Sequence, residues 1–427
     1  MVGNVLVALV LLSGEIDLRA SAVVESRAGE TPIVAGTNPT GFVAEIVAPA
    51  AMFVYSDPGL TFHAAYSPRV YWQHPNAVNS WAPLLLHTAD LLLEERSTRR
   101  LSLIAGLTGA IGEPDYTQLQ TLVGGVGQSA LPQITEIASV SGQLLARVTL
   151  TRRWELDLDG QALYWRSFGA APVVTTPTTT PTTTTITEQR SAGEQGTALY
   201  RLTPRHALGF GAAGSEASFS NGLQIYTVGP TVTWKVQLTP IDELKLTLGF
   251  TYVRAAGTLT PGTIPPLGPS GQTATPVGAF DLISRVARRD EFFLLANANG
   301  GVDYFVDPVL GTTAPRARAG LGLTAIMAPD WMAIVRGDFS TALRSTPLAP
   351  ISLGSPGSPA YYSDETLVSL TASVRRVVTP GVFAEIGGLW AERAPAFVTP
   401  DFQFRERQLW VFARLAWTSH PLPRLVN

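Results

Sequence analysis

The sequence predicts an all-β fold, an antiparallel sheet closed on itself as a transmembrane barrel. Three observations predict it. Apolar and polar residues alternate with period two over long stretches, short polar turns alternate with longer irregular connections, and aromatic residues gather near the ends of the alternating stretches. Successive side chains of a strand point to opposite faces, so period two marks a sheet with one apolar face and one wet face.

Composition sets the limits. The 427 residues are 45% hydrophobic and 15% charged, against about a quarter charged in ordinary soluble domains. The apolar excess is spread thinly, and no run reaches the roughly 18 apolar residues of a membrane helix. A formal net charge of −3 gives no field for a polyanion, so nucleic acid is not an expected partner. The absence of cysteine excludes disulfides and thiolate metal sites. Lysine occurs only at Lys235 and Lys245; every other basic residue apart from histidine is arginine. Residues 5–12 (VLVALVLL) resemble the apolar core of a secretory signal, so residues 1–13 are expected to be the remnant of one.

The elements follow in order. Ile16, Leu18, Ala20, Ala22 and Val24 alternate with Glu15, Asp17, Arg19, Ser21 and Glu25. Leu60, Phe62, Ala64, Tyr66, Val70 and Trp72 alternate with Thr61, His63, Ala65, Ser67, Arg69 and Gln73. The pattern recurs at Trp154, Leu156 and Leu158 against Arg153, Glu155, Asp157 and Asp159, and at Leu244 to Tyr252 against Lys245, Thr247 and Thr251. It recurs again at Ala317, Ala319, Leu321 and Leu323 against Arg316, Arg318 and Thr324. Short turns fall at 56–59, 97–100, 151–153, 203–205, 239–242, 328–330 and 379–381, where Pro, Gly, Asp and Thr set the backbone angles. Longer connections lie between them at 112–135, 169–187, 257–314 and 345–364.

This spacing places strands near 14–27, 41–55, 59–73, 83–96, 99–112, 137–151, 153–167, 189–203, 206–220, 223–238, 242–256, 315–328, 330–344, 365–378, 381–395 and 405–418. The barrel then spans 14–418 with about sixteen strands, fourteen to eighteen being compatible, and a tail at 419–427. An even number puts both ends on one side. Pro49, Pro68 and Pro230 fall inside these strands and are expected near strand ends or at bulges. The strand at 41–55 has blurred alternation. The Thr-rich stretch within 169–187 buries little apolar area and is expected to be a mobile loop.

Strand length and aromatic placement argue for a membrane. A tilted membrane strand needs about 9–11 residues, whereas strands of soluble proteins average about five or six. Tyr55, Tyr71, Trp72, Trp154, Tyr164, Trp165, Trp331, Trp390 and Trp417 cluster near strand ends, as interfacial girdles do. In lipid a closed barrel is the only sheet that satisfies every backbone polar group.

In the stretches 60–71 (LTFHAAYSPRVY), 153–165 (RWELDLDGQALYW) and 408–417 (QLWVFARLAW), the chain resembles bacterial outer-membrane barrels of the porin-like type. The resemblance covers residues 14–418 and is one of pattern; it identifies no subfamily. It implies insertion by the barrel-assembly machinery, contact with outer-membrane lipids and lipopolysaccharide, and passive passage of small hydrophilic solutes. Trp417 closes the last strand as a terminal aromatic, with residues 418–427 following.

No pattern of catalysis or cofactor binding stands out. The five histidines, His63, His74, His87, His206 and His420, form no close H-x-x-x-H pair. His63 is expected to be a polar lumen residue beside Arg69. Gly106 to Gly112 is a barrel wall of small side chains, and no Gly-Lys-Ser/Thr follows it. The chain is read as a non-enzyme.

The charged face is the informative constellation. A charge facing hydrocarbon costs about 2–4 kcal/mol at mid-depth, so these residues are expected inside. Expected pore-lining residues are Arg69, Arg147, Arg153, Glu155, Asp157, Asp159, Lys245, Arg316, Arg318, Arg336 and Asp338. Glu15, Asp17, Arg19, Glu25, Glu45, Arg201, Arg375, Glu385 and Arg414 should join them. Both signs are present, so no strong preference for one ion sign follows.

The connection 257–314 holds the partly apolar segment 280–298, with Arg285, Arg288 and Arg289 close together. It is expected to fold into the lumen as a constriction; an outer cap or a hairpin through Asn299-Gly300 are the alternatives. The functional expectation is a passive pore for small hydrophilic solutes. A non-conducting barrel that binds an assembly partner, surface polymer or lipopolysaccharide is the other reading, and lateral passage of an apolar solute a third. Monomer and trimer are equally compatible with the sequence.

Overall fold

A computed structural model of the chain describes residues 15–30, 41–74, 83–98, 100–113, 136–168, 188–220, 222, 224–239, 241–256, 272–289, 292–306, 313–343, 365–395 and 406–419. The apolar run at 5–12, the Thr-rich stretch and residues 420–427 lie outside these.

The described chain is an antiparallel sheet of 18 strands. In order they are β1 (Glu15–Glu30), β2 (Gly41–Asp57), β3 (Leu60–His74), β4 (Leu84–Thr98), β5 (Leu101–Gly112) and β6 (Glu136–Thr149). Then come β7 (Trp154–Phe168), β8 (Glu188–Arg201), β9 (His206–Phe219), β10 (Gln224–Gln237), β11 (Glu243–Ala256) and β12 (Gln272–Arg289). The last are β13 (Phe292–Val306), β14 (Thr313–Ala328), β15 (Trp331–Ala342), β16 (Glu365–Thr379), β17 (Val382–Pro395) and β18 (Glu406–Thr418). Each strand pairs with the next, and β18 pairs with β1, so no edge is left open.

The count of eighteen corrects the expected sixteen. The extra pair comes from the segment read as a lumen loop: β12 and β13 lie within 257–314 and are wall. Arg285, Arg288 and Arg289 sit on β12 and pair in register with Leu295, Phe293 and Phe292, so they form no constriction loop. Asn299 and Gly300 lie inside β13, so the hairpin does not turn there. Residues 290–291, between β12 and β13 in the sequence, include no Pro or Gly, and Phe292 to Leu295 are apolar on both faces, which hid the alternation.

Three short turns share one construction. Leu150-Thr151, Leu202-Thr203 and Leu238-Thr239 each place a threonine hydroxyl where it accepts two backbone N–H groups. Thr151 Oγ1 accepts from Arg153 and Trp154 at 3.2 and 3.0 Å. Thr203 Oγ1 accepts from Arg205 and His206 at 3.2 and 3.1 Å. Thr239 Oγ1 accepts from Ile241 and Asp242 at 3.3 and 3.1 Å. The hydroxyl satisfies groups that the ladder leaves open at its end. In the turn after β16, Gly381 has φ 99°, a left-handed conformation that glycine adopts without strain.

Pro49, Pro68 and Pro230 lie inside β2, β3 and β10, with no register shift beside them. This corrects the expectation of strand ends or bulges.

Candidate functional site

Ladder partners share a face, so the register sorts every side chain into an outer and an inner set. On the outer set, Leu18, Phe210, Leu248 and Ile386 are 63–73% exposed. Trp154, Trp234, Trp331 and Trp417 face outward at the end of the wall that carries the short turns. Trp154 packs on Tyr200 with ring centroids 5.0 Å apart. Large exposed apolar residues over a closed ladder, rimmed by aromatics, suit lipid and not water. This is the outer face of a membrane-spanning barrel. Tyr71 and Trp165, expected at the interface, instead point inward and are buried. Trp165 Nε1 donates to Gln189 Oε1 at 2.8 Å.

The inner set carries three charged clusters. The first lies near the short turns. Arg147 Nε is 2.9 Å from both Glu155 Oε1 and Asp157 Oδ1, and Arg201 Nη2 is 2.9 Å from Glu155 Oε2. Lys235 Nζ is 3.9 Å from Asp157 and 3.8 Å from Glu243. Asp159 shares this face through its pairing with Leu145, and Lys245 through its pairing with Lys235.

The second cluster spans β13 to β15. Arg316 makes a two-pronged contact with Asp303 at 3.2 and 3.3 Å, and Arg318 Nε is 3.4 Å from the same carboxylate. Arg336 grips Asp338 at 2.8 and 3.1 Å. Arg316, Arg318, Arg336 and Asp338 line a recess of about 470 Å³ together with Asp281 and Asn299.

The third joins the first strand to the last. Glu25 is 1% exposed and pairs with Arg27 on its own strand. Arg414 Nε donates to Glu25 Oε2 at 2.7 Å, and Arg414 Nη1 lies 3.4 Å from Glu385 Oε2. Arg375 Nη2 is 3.0 Å from that same Glu385 oxygen. Charges of alternating sign thus run Arg27, Glu25, Arg414, Glu385, Arg375. Arg27, Arg414 and Arg375 also lie over the rings of Trp410, Phe412 and Phe383 at 4.8, 5.2 and 4.5 Å.

Arg69 and His63 face the lumen by register, as do Glu15, Asp17 and Arg19. Two expected lumen residues do not. Glu45 shares the outer face with Ser26, whose hydroxyl donates to it at 2.6 Å; β2 is apolar on both faces, so its register could not be read. Arg153 sits in the turn before β7, where its Nη1 donates to Tyr200 Oη at 3.0 Å. Arg285 faces inward over Phe293 at 4.4 Å. The side chains of Arg288 and Arg289 lie outside the described ones. Sequence reasoning missed Asp90, Lys235, Asp281 and Asp303. The last two stand on the strands taken for a loop, where the alternation Val302, Asp303, Tyr304 was the available signal.

At the rims two carboxylates are shifted. The Thr239 hydroxyl and the Arg285 backbone N–H, 2.6 and 2.7 Å away, hold Asp242 below its ordinary value. Burial, aided by Glu136, pushes Glu113 up. Among the described residues no group of His, Asp or Glu side chains is arranged to hold a metal.

No protein-family model matches the chain, and no curated protein matches it. Solved structures do. OccK9 (OpdG) of Pseudomonas aeruginosa is similar at 11% identity with a TM-score of 0.42, over 95% of this chain and 99% of that one. OccAB1 of Acinetobacter baumannii is similar at 8% identity and 0.43, over 94% and 97%. OccK2 (OpdF) of Pseudomonas aeruginosa, solved in complex with glucuronate, is similar at 11% and 0.41, over 94% and 98%. Identities this low transfer no residue role to this chain.

Proposed function

We propose that the barrel is a passive pore of the outer membrane for small hydrophilic solutes. One observation carries this reading: a closed wall of 18 strands gathers three clusters of paired charges on its inner face. Barrels of roughly 16–18 strands leave an aqueous channel, and charge is inexpensive only where water reaches it. In this reading Arg69, Arg147, Glu155, Asp157, Asp159, Lys245, Arg316, Arg318, Arg336 and Asp338 line the pore.

The lining is unevenly charged. Asp90, Glu94, Glu155, Asp157 and Asp159 dominate the inner faces of β4 to β7. On those of β10 to β15, Lys235, Lys245, Arg285, Arg316, Arg318 and Arg336 outnumber Glu243, Asp281, Asp303 and Asp338. In the closed strand order β4 and β13 stand opposite each other. A solute crossing the lumen would meet a net negative wall on one side and a smaller net positive excess on the other, which orients a dipolar molecule more strongly than it selects an ion sign.

Single-channel recording in a planar bilayer tests the pore. Stable current steps are expected from folded protein. A correctly folded sample that inserts and stays silent would overturn it.

A further inference from the structure

Pro49 on β2 and Pro68 on β3 face each other at mid-wall. The ladder between these strands runs from Val43↔His74 to Val47↔Val70 and resumes at Ala51↔Tyr66 in the same register. The missing pairings centre on the two prolines. In an antiparallel pair, alternate positions exchange both N–H···O bonds. Val47, Pro49 and Ala51 are of that kind by parity, and a proline has no N–H to give. On their other sides both are paired, Ala22↔Pro49 and Pro68↔His87. The loss therefore falls on one seam. Ser67 Oγ donates to the Pro49 carbonyl at 3.1 Å, standing in for one missing bond.

The inner surface beside this seam is unlike the rest of the lumen. From Phe42 to Val54 every inward side chain of β2 is apolar. Towards the long-connection end, Phe42, Ile46, Tyr71 and Phe412 pack with Trp410. Trp410 is 8% exposed, and its Nε1–H has no hydrogen-bond partner among the described residues. A buried N–H without an acceptor is costly, and here it lies across Gly29 of β1 from Phe42, the first of a buried row of apolar side chains on β2 that runs to the broken seam. Phe42 and Ala50 are about 26 Å apart along β2 at ~3.3 Å per residue, a span on the order of one long alkyl chain.

We propose that the β2–β3 seam is a lateral opening for a single-chain amphiphile with an acceptor headgroup. The headgroup accepts from Trp410 Nε1–H, the chain lies along the inner face of β2, and the molecule passes between Pro49 and Pro68 to or from the bilayer. The proposal needs the chain to be a membrane barrel but does not need it to conduct hydrophilic solutes.

The chain has no cysteine, so the seam can be locked. Ala50 and Ser67 stand opposite each other on the inner side, at a close-approaching position suited to a disulfide. The A50C/S67C protein is reconstituted in phosphatidylcholine vesicles with a long-chain alkanoic acid carrying a diazirine on its chain. After illumination, labelled residues are located by mass spectrometry. The reduced protein is expected to carry label on inward Met52 as well as outward Phe53. Oxidation should cut Met52 labelling by an order of magnitude, leave Phe53 unchanged, and be reversed by reductant. P49A/P68A, which restores both N–H groups, should lower Met52 labelling without a disulfide. W410F should weaken labelling by the acid but not by the matching diazirine alkane. Equal Met52 labelling in both redox states, or label confined to outward side chains in the reduced protein, would overturn the proposal. Conductance measured on the same preparation reports separately on the hydrophilic pore.

Discussion

Lys235 and Lys245 stand directly opposite each other on the inner faces of β10 and β11. They are the chain's two lysines. Lys235 has Asp157 and Glu243 within 4 Å, whereas Lys245 has no carboxylate that close among the described residues. Its charge is therefore the more available to ions in the lumen. Lys245→Glu is expected to shift the reversal potential in asymmetric salt toward cation preference, with conductance retained. An unmoved reversal potential would place Lys245 off the ion path.

Leu248 and Thr247 are neighbours on opposite faces of β11. Leu248→Arg puts a charge in lipid at a cost of about 2–4 kcal/mol if it lies near the midplane, while Thr247→Arg puts it in the lumen. Folding into vesicles, read as the fraction of heat-modifiable protein, should fall sharply for the first and little for the second. Equal effects would mean that the register of β11 is inverted.

Removing the carboxylate in Glu25→Ala takes away the charge that stands between Arg27 and Arg414, and leaves Arg414 its longer contact with Glu385. Breaking one partner out of a buried ion pair costs about 3–5 kcal/mol. The variant should unfold at lower denaturant than wild type. Glu94→Ala, a change to a more open lumen carboxylate, should move the midpoint far less.

Asp242 supplies the pH prediction. Its folded value is lowered by the Thr239 hydroxyl and the Arg285 N–H. A depressed carboxylate stabilises the fold above its unfolded value, and that contribution is lost as pH falls through the folded value. Asp242→Asn should therefore be less stable than wild type at neutral pH. The gap should narrow as pH falls below the ordinary carboxylate range of about 4. Thermal melting across pH measures it, and a gap that stays constant would count against the assignment.

Where one face is charged and the other apolar, the sequence and the structure agree. Glu155 and Asp157 point in, and Leu156 and Leu158 point out, because a one-residue slip would put acid into lipid. The same logic failed on β2, where Phe42, Ala44 and Ile46 on one face and Val43 and Val47 on the other leave both apolar, and Glu45 was assigned to the wrong one. It failed at Tyr71-Trp72 and Tyr164-Trp165, since two adjacent aromatics do not reveal which faces lipid. It failed on β12 and β13 because a wall turn without Pro or Gly looks like the inside of a long loop. The ion-pair partners could not be read at all: Glu25 and Arg414 are 389 positions apart, and spacing along a chain carries no information about neighbours made by closure.

That separation has a consequence for how the molecule is made. Glu25 and Arg27 are among the earliest residues of the wall to be synthesised, and Arg414 is among the last. Until β18 arrives, a carboxylate destined for burial must remain hydrated while sixteen strands assemble beside its own. The contact that completes the cylinder has nearly the greatest sequence separation the chain allows, and such contacts form slowly because a long loop must close first. An unfinished sheet would thus display Glu25 at an open margin, a charge that resists pairing with a stray strand. The same carboxylate that fastens the finished wall guards it while it is incomplete.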